Sequence, residues 1–218
     1  MVNAVPSQTI DLDFAALRDT APAGDPFAHV VIPNFVPPES LRAVVAALPP
    51  IGNGGSYPPS SLRLGPAAKA LVSAMEGPEM RQAIAEKFGL DLSNSPTMLT
   101  IRGRTREKDG RIHTDSKAKR ATILLYLNPD PGKFTGHEGC LRLLRNATDI
   151  DDYAVEVPPV NGTLLVFPNG LTTWHGHKQF VGPRYAIQLN YMTDDNLARY
   201  EMRRHRLSAI VKRFSRAA

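Results

Sequence analysis

The sequence predicts a mainly β domain with flanking helices, of the α+β class, built as a sandwich or barrel. Three observations carry that prediction. From Pro96 onward, short apolar or alternating runs follow one another at 97–102, 111–115, 120–128, 139–144, 153–157, 162–167, 172–177 and 183–192. Turn-forming clusters separate them, among them Asn128-Pro129-Asp130-Pro131-Gly132 and Pro158-Pro159-Val160-Asn161-Gly162. The 19 prolines and 16 glycines in 218 residues favour many turns and short strands over long helices.

The elements before Pro96 read differently. Residues 28–36, AHVVIPNFV, make a strand. A helix follows in PPESLRAVVAALPP, with two prolines ahead of it, Glu39 in its first turn, and Leu41, Val44, Val45 and Leu48 at helical spacing. Residues 50–62 form a Gly/Pro/Ser loop with the composition of a mobile segment or lid. Helices near 66–76 and 78–88 come next, the second starting at Pro78 and stopping at Gly89. After the strands, Thr193-Asp194-Asp195 caps a last helix running to about 214, in which Leu207, Ile210, Val211 and Phe214 form an apolar stripe opposite the arginines. Three readings of that helix stay open: docking on the barrel, a homodimer contact in place of a monomer, or adhesion to an anionic membrane surface.

Length and composition suit a single domain over 1–218, with a core at about 96–192, helical support at about 26–90 and the basic C-terminal helix at about 194–214. One cysteine, Cys140, excludes an intramolecular disulfide, and the N-terminus shows no signal-peptide pattern, so a reducing cytoplasm is expected. No window approaches a membrane span. The net charge of +5 is concentrated in two places. Residues 102–120 hold eight Lys or Arg against three acids, and 199–216 hold seven against one. Such segments are either solvated faces or a rim for an anionic substrate. Nucleic acid is not expected, because no recognition motif accompanies the charge and aromatics are sparse among the arginines.

The chemistry concentrates in RIHTDSKAKRATILLYLNPD, residues 111–130. In a strand, His113 and Asp115 project from one face, and imidazole plus carboxylate suits Fe(II), Mn(II) or Zn(II). Alone, such a pair is weak evidence. The segment LLVFPNGLTTWHGHKQFVGPRYAIQLNYM adds His175 and His177, then Arg184. A hairpin between 173–177 and 184–192 would set Arg184 beside the histidines. Two histidines and one carboxylate with open positions are the arrangement of non-haem Fe(II) oxygenases.

The order His113-x-Asp115, LLYLN, Gly139-x-Leu141, WHG and Gly182-Pro183-Arg184 resembles the iron(II)- and 2-oxoglutarate-dependent oxygenase superfamily in its prolyl-hydroxylase-like branch. The resemblance covers about residues 26–192 and takes in FAHVVIPNFVPPESL. It implies a double-stranded β-helix, a cupin-like jelly-roll with helices on one outer face. It implies Fe(II) on His113, Asp115 and His175, the last preferred to His177 because it lies within Trp174-His175-Gly176. It implies that Arg184 binds the far carboxylate of 2-oxoglutarate, that Tyr126 and Thr122 contact the same cosubstrate, and that Leu141 lines its pocket. The reaction implied consumes O2 and 2-oxoglutarate, hydroxylates an unactivated C–H bond, and releases succinate and CO2. Asp115 argues against the halogenating members, which lack that ligand. One departure is Gly139-Cys140, where a Gly-Gly pair is usual.

The remaining candidates read as structural: His177 beside the site or exposed, His137 and Glu138 solvated, His29 at the surface or in a core hydrogen bond, Trp174 packing, and Cys140 inert. The substrate stays open between a small molecule and a peptidyl group, in either case suited to an anion if the basic segments form the barrel mouth. A cupin-like domain that binds metal or a small ligand without oxidative turnover is the alternative, and Arg184 weighs against it.

Overall fold

Proline marks where the helices start. In the computed structural model, which describes residues 9–204 apart from 194 and 202, α2 (Pro38–Ala46), α3 (Pro66–Met75) and α4 (Pro78–Phe88) each begin at a proline. The missing N–H costs nothing in a first turn, and the fixed φ is already helical. Gly89 ends α4 in the left-handed region at φ 63°. A short α1 (Phe14–Asp19) precedes them, unanticipated from sequence, with Asp13 accepting from Ala16 N as its cap.

The strands are β1 (Val30–Ile32), β2 (Thr97–Thr105), β3 (Lys119–Tyr126), β4 (Leu141–Leu144), β5 (Tyr153–Val157), β6 (Leu164–Pro168), β7 (His175–Gly176) and β8 (Gly182–Met192). They form a five-stranded sheet in the order β1-β6-β3-β8-β2 and a three-stranded sheet in the order β5-β4-β7. Each neighbour pairing is antiparallel. The two sheets form the expected sheet-dominated α+β jelly-roll. Alternation divides the larger sheet cleanly. Ile101, Ile123, Leu125, Leu164, Val166, Ile187 and Leu189 share one buried cluster with Leu71, Met75, Met80 and Ile84 of the helices. Tyr126, Leu165, Phe167 and Ala186 face the other way and cluster with Leu141 and Leu143 of the smaller sheet.

Three expectations need correction. The segment 111–115 is not a regular strand; it attaches to the smaller sheet as an arm along β7. His113 and His175 exchange both backbone hydrogen bonds at 3.0 Å, and His177 N donates to Gly110 O at 2.9 Å. A Cβ on Gly110, at φ 90°, would overlap the His177 ring, so the arm can lie this close only with glycine there. The hairpin expected between the histidine strand and 184–192 does not form. Strand β7 pairs with β4, whereas β8 lies between β2 and β3 in the other sheet. A two-residue strand followed by the five-residue connection 177–181 crosses between sheets rather than doubling back. The loop 50–62 is tied down, not free. Tyr57 exchanges backbone bonds with Ile101 on the outer edge of β2, and Ile51 and Tyr57 are buried.

Residues 196–201 are helical, and Asp195 caps them by accepting from Ala198 N at 2.8 Å. The apolar stripe Leu207, Ile210, Val211 and Phe214 lies outside the described residues. Among the described residues, no helix is long and apolar enough to cross a membrane.

Candidate active site

The arm and β7 bring the distant residues together. His113, Asp115 and His175 place their ligand atoms within 4.8 Å of one another, and the two imidazole rings are 4.4 Å apart. His177 is not part of this cluster. In both histidines of the cluster Nδ1 faces a backbone carbonyl, Arg111 O at 2.8 Å and Thr173 O at 2.9 Å. A carbonyl only accepts, so each Nδ1 carries the proton and each Nε2 keeps its lone pair for a metal. Burial, reinforced by the neighbouring His113, pushes His175 down to about 4, which keeps it neutral near pH 7.

Asp115 is held from two sides. Lys119 Nζ donates to Oδ1 at 2.5 Å and Thr122 Oγ1 donates to Oδ2 at 2.6 Å. Each oxygen retains a second lone pair. Burial opposes ionisation of Asp115. Lys119, His175 and the two hydrogen bonds outweigh it and hold the carboxyl below the usual range. Thr122 in turn accepts from Asn169 Nδ2 at 3.0 Å, and Asn190 lies opposite it on β8. The structure therefore places the Thr122 hydroxyl on the carboxylate of the cluster. Phe167, the partner of Thr122 on β6, packs its ring 5.1 Å from that of His175.

Further along the inner face lie Tyr126 and Arg184. Tyr126 is opposite Ala186 on β8, and Arg184 is the next inward residue of that strand, re-aimed by a register shift between β2 and β8. The Arg184 guanidinium sits over the Tyr126 ring at 5.2 Å, and its Nε donates to Gly139 O at 2.8 Å. Its terminal nitrogens face the Tyr126 hydroxyl, which is buried and has no other polar partner among the described residues. Burial raises the phenol, with the Arg184 charge opposing it. Leu141 packs in the same cluster as Tyr126.

Other candidates fall where their chemistry is spent. His137 pairs with Glu156, which also accepts from Arg142 Nε at 2.7 Å. His29 is buried, with Nδ1 on Phe27 O at 2.8 Å. Cys140 is buried with Phe134 and Phe180, and burial pushes its thiol up to about 11, so it is inert near neutral pH. Two further residues lie near the site: His177, beside it as one of its two readings had it, and Arg102, read from sequence only as one of a basic run. His177 is buried, with Nδ1 on Lys178 O, and burial followed by the Arg184 charge lowers it to about 4. Arg102 lies across Ala186 from Tyr126. Its signal was present in sequence: it alternates with Ile101 and Gly103, which face the helices.

A jelly-roll holding a two-histidine, one-carboxylate cluster beside a buried arginine has the donor set of a divalent-metal site. Residues 103–192 match the sequence model of the 2OG-Fe(II) oxygenase superfamily. The fold is that of the prolyl hydroxylases. A Pseudomonas putida prolyl-4-hydroxylase superposes with a TM-score of 0.59 at 20% identity, covering 87% of this chain and 98% of that one. A prolyl 4-hydroxylase from Phytophthora capsici gives 0.57 at 18% identity, covering 96% and 80%. The truncated viral collagen prolyl hydroxylase of Paramecium bursaria Chlorella virus-1 gives 0.52 at 13% identity, covering 81% and 95%. At these identities the likeness is one of fold. No curated protein matches the chain in sequence.

Proposed function

We propose that this protein hydroxylates an unactivated C–H bond of a substrate, with His113, Asp115 and His175 holding Fe(II), and with Arg184 and Tyr126 holding the far carboxylate of 2-oxoglutarate. The observation that carries the reading is the pair of donors, Arg184 and Tyr126, set side by side on the buried inner face with no carboxylate between them. A buried phenol and guanidinium that meet only each other are a costly arrangement in apolar surroundings. A carboxylate would satisfy both at once. The donor set at the other end fits the metal: two imidazoles and one carboxylate suit Fe(II).

The spacing supports the same reading. From Thr122, which holds Asp115, to Tyr126 is four residues, or about 13 Å along the strand at ~3.3 Å per residue. The inward reach of the side chains from both ends leaves a gap on the scale of a five-carbon diacid. Leu141, Leu165 and Ala186 wall that gap with apolar surface and exclude water from it. Bound iron with 2-oxoglutarate would supply the oxidising power for C–H cleavage, with succinate and CO2 as co-products. The protein's own part is geometric. The carbonyls of Arg111 and Thr173 fix the imidazole tautomers, Lys119 and Thr122 fix the carboxylate, and Gly139 O fixes Arg184. In this reading the strands 96–192 house the site and residues 26–90 brace the back of the larger sheet.

The test is succinate release from 2-oxoglutarate by the Fe(II)-loaded protein, together with isothermal titration of 2-oxoglutarate into the Mn(II)-loaded protein. The reading expects binding with one equivalent of cosubstrate. Absence of 2-oxoglutarate binding would overturn it, even if slow turnover without substrate went undetected.

A further inference from the structure

We propose that Arg102 is the specificity-determining residue for the primary substrate, and that its guanidinium receives an oxyanion, carboxylate or phosphate, carried by a small molecule; this rests on the oxygenase reading above. Arg102 faces the barrel interior. Its neighbours Ile101 and Gly103 lie on the helix side, Ile101 in the core cluster and Gly103 against Ile51. Its cross-strand partner is Ala186, which belongs to the interior cluster, and the next residue along that row is Tyr126. The small side chain of Ala186 leaves space between the two.

No carboxylate pairs directly with Arg102 among the described residues. Its side chain makes no hydrogen bond or ion pair among the described residues. The carboxylates it senses, Asp109 and Asp115, are both engaged by others. Asp109 accepts from Arg106 Nε at 3.2 Å and Arg106 Nη2 at 3.0 Å, and Asp115 accepts from Lys119 and Thr122. Burial disfavours its cationic form most; Asp109 opposes that, and the Arg184 and Arg106 charges add to it. A half-buried cation without a direct ion pair is costly, and the structure keeps it on the inner face.

The position separates its role from that of Arg184. Arg184 and Tyr126 already supply a full set of donors for one carboxylate. Arg102 stands on the neighbouring strand, at the side where the chain leaves β2 and turns through 106–109 into the metal-binding arm. That seam between the two sheets is where a second molecule can meet the metal cluster without displacing the diacid. Arginine's planar fork suits a carboxylate or phosphate at such a place.

The experiment uses the full chain loaded with Mn(II) and N-oxalylglycine, an unreactive analogue of 2-oxoglutarate that fills the Arg184 end. Acetate and inorganic phosphate are titrated separately at constant ionic strength, with heat and Trp174 fluorescence as readouts. The wild type should bind one equivalent of one of them, and which one distinguishes a carboxylate from a phosphate. R102Q should weaken that binding at least tenfold, while its affinity for N-oxalylglycine changes less than threefold and its melting temperature does not fall. R102K keeps the charge and should bind the anion with intermediate affinity, which guards against misfolding of R102Q. Equal anion binding by wild type and R102Q overturns the proposal, as does a wild type that binds neither anion. A tenfold loss of N-oxalylglycine affinity in R102Q also overturns it, because Arg102 would then belong to the cosubstrate. Failure of the wild type to bind N-oxalylglycine at all would bring down the oxygenase reading first, and this inference with it.

Discussion

The two faces of the five-stranded sheet are made by alternate residues of the same strands, and they do opposite things. Toward the helices, Ile101, Ile123, Leu125, Ile187 and Leu189 are buried and apolar throughout. Toward the smaller sheet, the residues between them include Arg102, Thr122, Tyr126, Gln188 and Asn190, with Arg184 at the end of the row. The first face is spent on burial of apolar area. The second carries buried polar groups, some of them unpartnered, which oppose folding and serve the site. The comparison teaches that stability and activity are separable here at the level of single side chains one residue apart.

The largest expected effect is on the inner side. His113→Ala should abolish divalent-metal binding and succinate formation with little change in melting temperature, because His113 is exposed. Across the sheet, Leu125→Ala should cost about 2–5 kcal/mol in denaturant unfolding, while turnover per folded molecule is kept. An equal loss of activity and stability in both variants would erase the distinction between the faces.

Acid should act through the inner face too. Folding lowers His175 and His177 from the ordinary 6.5 to about 4, so between those values the unfolded chain binds more protons. The stability they contribute is complete above about pH 6.5 and is lost as pH falls toward about 4, worth on the order of 2–3 kcal/mol for each imidazole. Thermal unfolding of the metal-free protein across this window should show the loss, and His177→Gln should flatten it. Arg184→Gln should raise the 2-oxoglutarate dissociation constant roughly 10- to 100-fold, the value of charge-assisted hydrogen bonds to one carboxylate. Tyr126→Phe is the smallest. It should weaken 2-oxoglutarate by about 1 kcal/mol, or roughly fivefold, and change the stability of the cosubstrate-free protein little, since the hydroxyl it removes meets only the Arg184 guanidinium.

Much of this was legible in the sequence because it obeys local rules. Pro38, Pro66 and Pro78 announced their helices, Gly89 announced a stop, and the period-2 runs marked β2, β3 and β8 with ends close to those observed. The spacing of His113 and Asp115 put them on one side of a short extended segment. The parts that were not legible depend on which sheet a strand joins. Strand β7 has only two residues, too few for periodicity to report, so its crossing to β4 was mistaken for a hairpin with β8. The burial of His177 follows from the arm at Gly110 folding over it, a contact between residues 67 positions apart that no window reveals. Arg102 sat within a run of cations and was taken with its neighbours as rim, although its flanking Ile101 and Gly103 mark it as the inward member. Helix α1 has six residues and one capping aspartate, a signal too short to separate from a loop.

The central claim is that the inner face binds a metal at one end and a dicarboxylate at the other. Calorimetric titration of 2-oxoglutarate into the protein, with and without Mn(II), in wild type, His113→Ala and Arg184→Gln, tests it most directly. One equivalent bound only with the metal, and weakened separately by each substitution, is the predicted result; binding that ignores the metal, or that survives Arg184→Gln undiminished, would contradict it.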